Sequence, residues 1–291
     1  MTNLTGFVNI VKPTGMSSSD VVCKVKKILK TKKVGHLGTL DPAASGVLPI
    51  AVGRATKFFD YFLTKDKEYV AIVKFGIETD SLDSFGNITN TNAKNIEESE
   101  ILRVLPKFIG KISQVPPKYS AIKINGKRAC DLARVDASFE IKPRQIEIFD
   151  IKLLKNLDDN VFLFKVHCSA GTYIRTLFSD IAYALETVST TTAIIRTKSG
   201  RFFIEDAVTL EELEKTETVQ AVESVFSDFE TIEIADDLAK KVLNGVKVKV
   251  SDFPVLKEPK GEFLISYKNK TIGFYKIKDE RLEAIAYLNE N

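Results

Sequence analysis

The chain has 291 residues, 44% hydrophobic and 28% charged, which is enough for one sizeable core and a smaller domain. Its formal net charge of +3 is too mild to identify a polyanionic partner by itself. Two histidines, three scattered cysteines (Cys23, Cys130, Cys168) and the lack of any apolar run of spanning length argue against three classes: a histidine metal centre, a disulfide framework and an integral membrane protein.

The opening MTNLTGFVNIVKPTG has neither the basic start nor the apolar stretch of a signal peptide, so a cytoplasmic protein with reduced thiols is expected. Residues 17–33 predict a helix that Ser18, Ser19 or Asp20 could cap, with Val21, Val25, Ile28 and Leu29 on one face. In KVKKILKTKK (24–33) six of ten residues are lysine, which fits a phosphate-contacting surface or a solvated helix face.

Next comes GHLGTLDPAASGVLPIAVGRATK (35–57), where four glycines and two prolines surround a single acid, Asp41. Residues 34–46 read as a glycine-rich loop, which could be no more than a tight turn with glycines at positive φ. Pro42 biases Asp41 towards extended backbone, so its carboxylate projects and is not absorbed as a helix cap. Neither a P-loop ending nor a GxGxxG after a strand is present.

EYVAIVKFG (68–76) predicts a strand with Tyr69, Ala71, Val73 and Phe75 on one face; DSLDSFG (80–86) is turn chemistry, and a helical pattern returns near 96–107. QVPPKYSAIKINGKRACDLAR (114–134) is basic and proline-started, a long loop or hairpin leading into a short helix. Strands at about 145–155 and 161–168 precede a helix at about 172–185. CSAGTYIRTL (168–177) offers Arg175, whose planar fork suits a carboxylate, and Tyr173, a core aromatic or a base-stacking one. An acidic stretch near 211–230 marks a boundary, beyond which a helix and short strands predict a small basic β module.

Taken in order, these segments resemble the bacterial TruB-type tRNA pseudouridine-55 synthases. The residues that carry the resemblance are VKPTGMSSSDVV, the Asp41 loop, Lys67-x-Tyr69-x-Ala71, and the turn with Thr79, Ser81, Asp83 and Gly86. QVPPKYSAIKINGKR, SAGTYIRTL and Ile195-Arg196 complete the series, which covers roughly residues 6–204. Leu37, Ile195, Thr197, Ala129, Cys130 and Asp136 depart from the family's pattern.

The resemblance implies an α+β fold: a mixed-sheet pseudouridine synthase catalytic domain over 1–230, with a thumb loop at about 114–136, and a PUA-like RNA-binding module over 231–291. It implies Asp41 as catalytic carboxylate, Arg175 paired with it and Tyr69 stacked on a flipped uridine. His36 would help hold the tRNA T-loop open, Tyr173 and Ile195 would line the uridine pocket, and Lys12 would belong to the substrate site. Asp41 is then expected to stand alone because a second ionised acid nearby would repel it. The expected partner is the T-arm of tRNA, bound by a monomer that uses no cofactor and no metal and touches no membrane. Sequence leaves open whether Asp41 attacks C1′ or takes a C2′ proton. The rival readings are a non-catalytic RNA-binding module and a glycosidase, which would ordinarily need a second carboxylate.

Overall fold

The computed structural model describes residues 4–288, apart from 121, 125, 134, 136–137 and 257–260. Asp136, where the thumb is expected to end, lies outside the described residues. Alternating or continuous β-branched and aromatic residues build one large mixed sheet. Its strands run in the order Gly6–Lys12, Ser45–Val52, Ser189–Ser199, Lys67–Phe75, Val161–Cys168, Arg144–Asp158, Gly110–Gln114. Neighbours pair antiparallel except Ser189–Ser199 with Ser45–Val52, which is parallel. In Lys67–Phe75 the odd-numbered residues are buried, so Tyr69, Ala71, Val73 and Phe75 share the core face as their period of two predicts.

The lysine-rich helix is shorter than predicted, Ser18–Ile28, and its cap is one residue earlier than any of the three candidates. Ser17 Oγ accepts the Asp20 N–H at 3.1 Å, while Asp20 Oδ2 accepts the Ser17 N–H at 3.0 Å, a reciprocal capping box. The helix stops because the chain turns over Lys30, at φ 49°, to reach the sheet. Val34–His36, expected as part of the loop, pairs antiparallel with Ser45–Val52. Val21, Val25 and Leu29 are buried, and Lys24, Lys27, Lys30, Lys32 and Lys33 are exposed, with Lys26 half-buried.

The predicted helix near 96–107 is Glu98–Val104 followed by a 3-10 turn, and the helix after Cys168 is Ile174–Ala184. The strand Ser189–Ser199 is not among the elements read from the sequence, where only its Ile195-Arg196 pair is singled out, as part of the resemblance. Within 114–134, two-residue strands Lys123–Ile124 and Lys127–Arg128 form a small hairpin before the helix Ala129–Ala133.

Towards the C-terminus, the helix Asp236–Leu243 accompanies a four-stranded sheet: Thr231–Glu233, Glu262–Tyr267, Lys270–Lys278 and Arg281–Tyr287. Phe58 stacks on Phe226 at 5.0 Å, and Phe226 meets Phe274 at 4.7 Å, so aromatic packing ties this sheet to the main body. The fold is α+β, a mixed catalytic sheet with a small C-terminal β module. No helix among the described residues is long and apolar enough to cross a membrane, and no group of three potential metal ligands occurs among them.

Candidate active site

The loop between Val34–His36 and Ser45–Val52 carries Asp41, and its carbonyls are held almost one by one. Arg196, buried on the neighbouring strand, donates from Nη2 to Gly38 O at 3.2 Å, from Nη1 to Thr39 O at 3.1 Å and from Nε to Val47 O at 2.8 Å. Ser18 Oγ donates to Leu40 O at 2.9 Å and accepts the Leu40 N–H at 2.8 Å. The Gly15 N–H donates to Pro42 O at 2.8 Å. Lys12 Nζ reaches Met16 O at 2.6 Å, Pro13 O at 2.8 Å and Pro42 O at 3.5 Å. At Gly46, φ 101°, a Cβ would stand 2.3 Å from Arg196 O, so only glycine lets the two strands approach this closely. The loop around Asp41 is rigid by construction.

Arg175 is the second residue of the helix Ile174–Ala184, and its side chain is 3% exposed. Nη2 donates to Asp41 Oδ2 at 2.6 Å and to Tyr119 O at 2.9 Å; Nη1 donates to Ser81 O at 2.6 Å. Asp83 Oδ2 lies 3.5 Å from Nη1. This corrects the expectation that Asp41 stands apart from other acids. A second carboxylate is present, and the guanidinium between the two supplies the opposing charge that offsets their repulsion. Asp83 is further committed, accepting from Ser81 Oγ at 2.6 Å and from the Phe85 N–H at 3.0 Å. Asp41, 36% exposed, has one face open to the cleft.

That cleft holds about 240 Å³ and is lined by Asp41, Arg175, Tyr69, Tyr173, Lys67 and Ile194, among others. Tyr69 comes from the core face of Lys67–Phe75, and burial pushes its phenol up to about 12. Tyr173 is the N-cap residue of the arginine's helix. The pocket position expected for Ile195 is taken by its neighbour: Ile194, 8% exposed, lines the cleft, whereas Ile195, 37% exposed, does not. Alternation along the strand explains the difference, since neighbouring residues face opposite sides of a sheet.

His36 and Lys12 do not line the cleft. His36 sits at the end of its short strand, and burial together with the Arg196 charge lowers its imidazole below the ordinary histidine value. Lys12 and Lys67 are buried beside the loop and the cleft, and burial lowers each to about 8. The hydrogen-bond partners of Lys12, Lys67 and Arg196 are backbone carbonyls, not acids. The cleft therefore carries positive charge around one accessible carboxylate, which suits a polyanion whose reacting centre turns cationic.

Sequence reasoning gives Ser18 no role beyond helix capping, and none to Arg196, Gln114 or Arg144. Each acts on backbone carbonyls, for which sequence carries no marker. Ile194 is within reach of the strand's period.

Residues 26–174 match the TruB family pseudouridylate synthase N-terminal domain. The tRNA pseudouridine synthase B of Clostridium kluyveri is 40% identical over 287 residues, covering 97% of this chain and 99% of that protein. The tRNA pseudouridine synthase B of Francisella philomiragia is 45% identical over 253 residues, 83% of each chain. Among solved structures, a Cbf5–Nop10–Gar1 complex contains a chain that superposes with a TM-score of 0.70 at 27% identity, covering 98% of this chain and 84% of that one. With a matching family domain over half its length and a relative of this identity from end to end, the chain belongs to the TruB family of pseudouridine synthases and is a tRNA-modifying isomerase.

Proposed function

We propose that the substrate is uridine 55 in the T-loop of tRNA and that Asp41 is the carboxylate that breaks its glycosidic bond. The observation that carries this reading is the Asp41–Arg175 contact, 2.6 Å, at a cleft walled by Tyr69 and Tyr173. The reaction breaks uracil N1–C1′, turns the base within the site and joins C5 to C1′; the proton lost from C5 is matched by one gained at N1, so atoms and electrons balance without a redox partner. Departure of the base builds positive charge at C1′, which an oriented carboxylate stabilises, captures as an ester or relieves by taking the C2′ proton.

The rest of the site follows from that chemistry. A uridine must leave its stack to reach Asp41, and the Tyr69 ring, on the cleft wall, offers a face to receive it. Tyr173 also lines the cleft, and His36, neutral in its buried setting, holds the opened T-loop. Lys12 acts indirectly, through the carbonyls of the loop. Residues 1–230 perform the chemistry, with the thumb at about 114–136 gripping RNA; residues 231–291 add RNA affinity. The protein works as a cytoplasmic monomer with no added cofactor.

The test is incubation with an unmodified tRNA transcript and mapping of pseudouridine. Product at position 55, lost when that uridine is replaced by cytidine, supports the assignment. Pseudouridine elsewhere with none at 55 refutes the substrate assignment, and RNA binding without release of tritium from 5-tritiated uridine would favour the non-catalytic module.

A further inference from the structure

Tyr173, which heads the helix of Arg175, is held by the two strand ends that flank the thumb. Gln114 is the last residue of Gly110–Gln114, and Arg144 is the first of Arg144–Asp158. They are paired across the sheet, and the chain between them makes the whole thumb excursion. Gln114 is fully buried. Its Oε1 accepts the Tyr173 N–H at 2.8 Å, and its Nε2 donates to Tyr173 O at 3.1 Å. The Arg144 guanidinium lies 4.6 Å from the centroid of the Tyr173 ring, and its Nη2 donates to Gly171 O. One residue of the cleft wall is thus gripped by its backbone on one side and by its ring on the other.

That grip leads directly to the catalytic pair. No side chain of Tyr173 caps its own helix, and the Leu177 N–H donates to Tyr173 O at 3.0 Å, so the first turn starts from a residue placed by Gln114. Arg175 follows two positions later. Gln114 also connects to Arg175 through the thumb itself. Pro116 and Pro117, each with a restricted φ, stiffen the short link from Gln114 to Tyr119. Tyr119 O accepts from the same Nη2 that donates to Asp41. The root of the thumb therefore touches the helix of Arg175 at its start and at its functional end.

We propose that Gln114 and Arg144 are positioning residues: a latch by which the seating of the thumb on RNA sets the orientation of Arg175, and through it of Asp41. The thumb then governs the rate of bond breaking and not only the affinity for RNA. This inference rests on the reading of Asp41 and Arg175 as the catalytic pair.

Gln114→Met keeps the side chain's length and loses both hydrogen bonds; Gln114→Glu keeps the acceptor for the Tyr173 N–H. In single turnover with saturating enzyme and a tRNA transcript, Gln114→Met should slow pseudouridine formation by about tenfold or more. Its Kd for the same tRNA should stay within about twofold of wild type. Gln114→Glu should recover part of the lost rate, which a purely volumetric packing role would not require. Arg144→Met, at a half-buried position on the cleft, should likewise be slow at saturating enzyme, where loss of its charge no longer limits binding, and serves if Gln114→Met does not fold. A wild-type rate in a folded Gln114→Met or Arg144→Met protein overturns the latch, as does a loss of rate that vanishes at saturating enzyme. Asp41→Asn run alongside separates the two readings. If it is active, the catalytic-pair reading falls; if it is inactive beside a fully active Gln114→Met, the latch alone falls.

Discussion

A single hydroxyl, that of Ser18, satisfies both backbone groups of Leu40: it accepts the N–H at 2.8 Å and donates to the carbonyl at 2.9 Å. Ser18 is buried in the first turn of its helix, and Leu40 immediately precedes Asp41. Helix and Asp41 loop are therefore fastened at one atom.

Removing that atom leaves a buried donor and a buried acceptor unpaired. Ser18→Ala should cost about 1–3 kcal/mol of stability, read by denaturant unfolding. Its single-turnover rate should fall while tRNA affinity holds, because the loop that aims Asp41 loosens and no RNA-facing group is removed. Unchanged stability and rate would mean that the hydroxyl is dispensable.

Asp41→Asn removes a charge with little change in shape. Tritium release from 5-tritiated tRNA should collapse, since an amide is a poor nucleophile, a poor base and a weak stabiliser of cationic C1′. Filter binding of the same tRNA should hold or tighten, because one negative charge facing phosphates is gone. Arg175→Lys should also be slow, because an ammonium cannot reach Asp41, Tyr119 O and Ser81 O together as the planar fork does. Near wild-type turnover in Asp41→Asn would remove Asp41 from the chemistry.

For Tyr69 the prediction separates ring from hydroxyl. Tyr69→Leu should lose base stacking, worth about 1–3 kcal/mol of RNA affinity, and Tyr69→Phe should retain it. With the phenol pushed up to about 12, Tyr69 stays neutral through ordinary assay conditions. No limb of the pH–rate profile between about pH 7 and 10 should then differ between wild type and a Tyr69→Phe protein that still turns over. Equal weakening of affinity by Phe and Leu would discard the stacking role.

Of the lysines in 24–33, Lys27 at the end of the helix and Lys30 and Lys33 beyond it are exposed, with Lys26 half-buried. Neutralising these four together should weaken tRNA binding and flatten the dependence of log K on log salt, by up to about 0.7–0.9 for each phosphate that is no longer neutralised. An unchanged slope would make the run a solvated face.

Lys12 gives a stability prediction with a defined sign. Burial lowers it to about 8 from the ordinary lysine value of 10.5, so between those values the unfolded chain holds more protons than the folded one. Stability from this group therefore rises as pH climbs from about 8 towards the unfolded lysine range. Chemical denaturation of wild type and Lys12→Met across that window should show the stability difference shifting in favour of wild type, with a slope of at most about 1.4 kcal/mol per pH unit. A difference that is flat or reversed would mean that Lys12 keeps its proton in the fold.

Much of this is legible in the sequence, and the limits have physical causes. Local signals succeed: the alternation in Lys67–Phe75, the turn at 80–86 and the loop around Asp41 depend on residues close in the chain. Two readings slip by a residue, the cap at Ser17 and the cleft-lining Ile194, because neighbouring serines or isoleucines carry the same propensity and only tertiary packing chooses between them. The strand Ser189–Ser199 is largely missed, since its run of threonines is not apolar and its register comes from two distant partners. The clamps by Arg196, Ser18 and Gln114 are out of reach for a different reason. Their acceptors and donors are backbone groups, which every residue possesses.

The placement of Ser189–Ser199 also has a consequence for how the enzyme comes into being. This strand lies between Ser45–Val52 and Lys67–Phe75, so two segments made early cannot close into one sheet until it is made. The bond from Arg196 to Thr39 spans 157 residues. At about 5–20 residues per second on the ribosome, the Asp41 loop waits roughly 8–30 seconds after its own synthesis for the residue that holds its carbonyls. During that interval a nascent chain can expose its lysine-rich helix to RNA without possessing an assembled reaction centre. Maturation of the Asp41 loop is thus timed by the arrival of a late strand, and the loop is complete only after two-thirds of the chain exists.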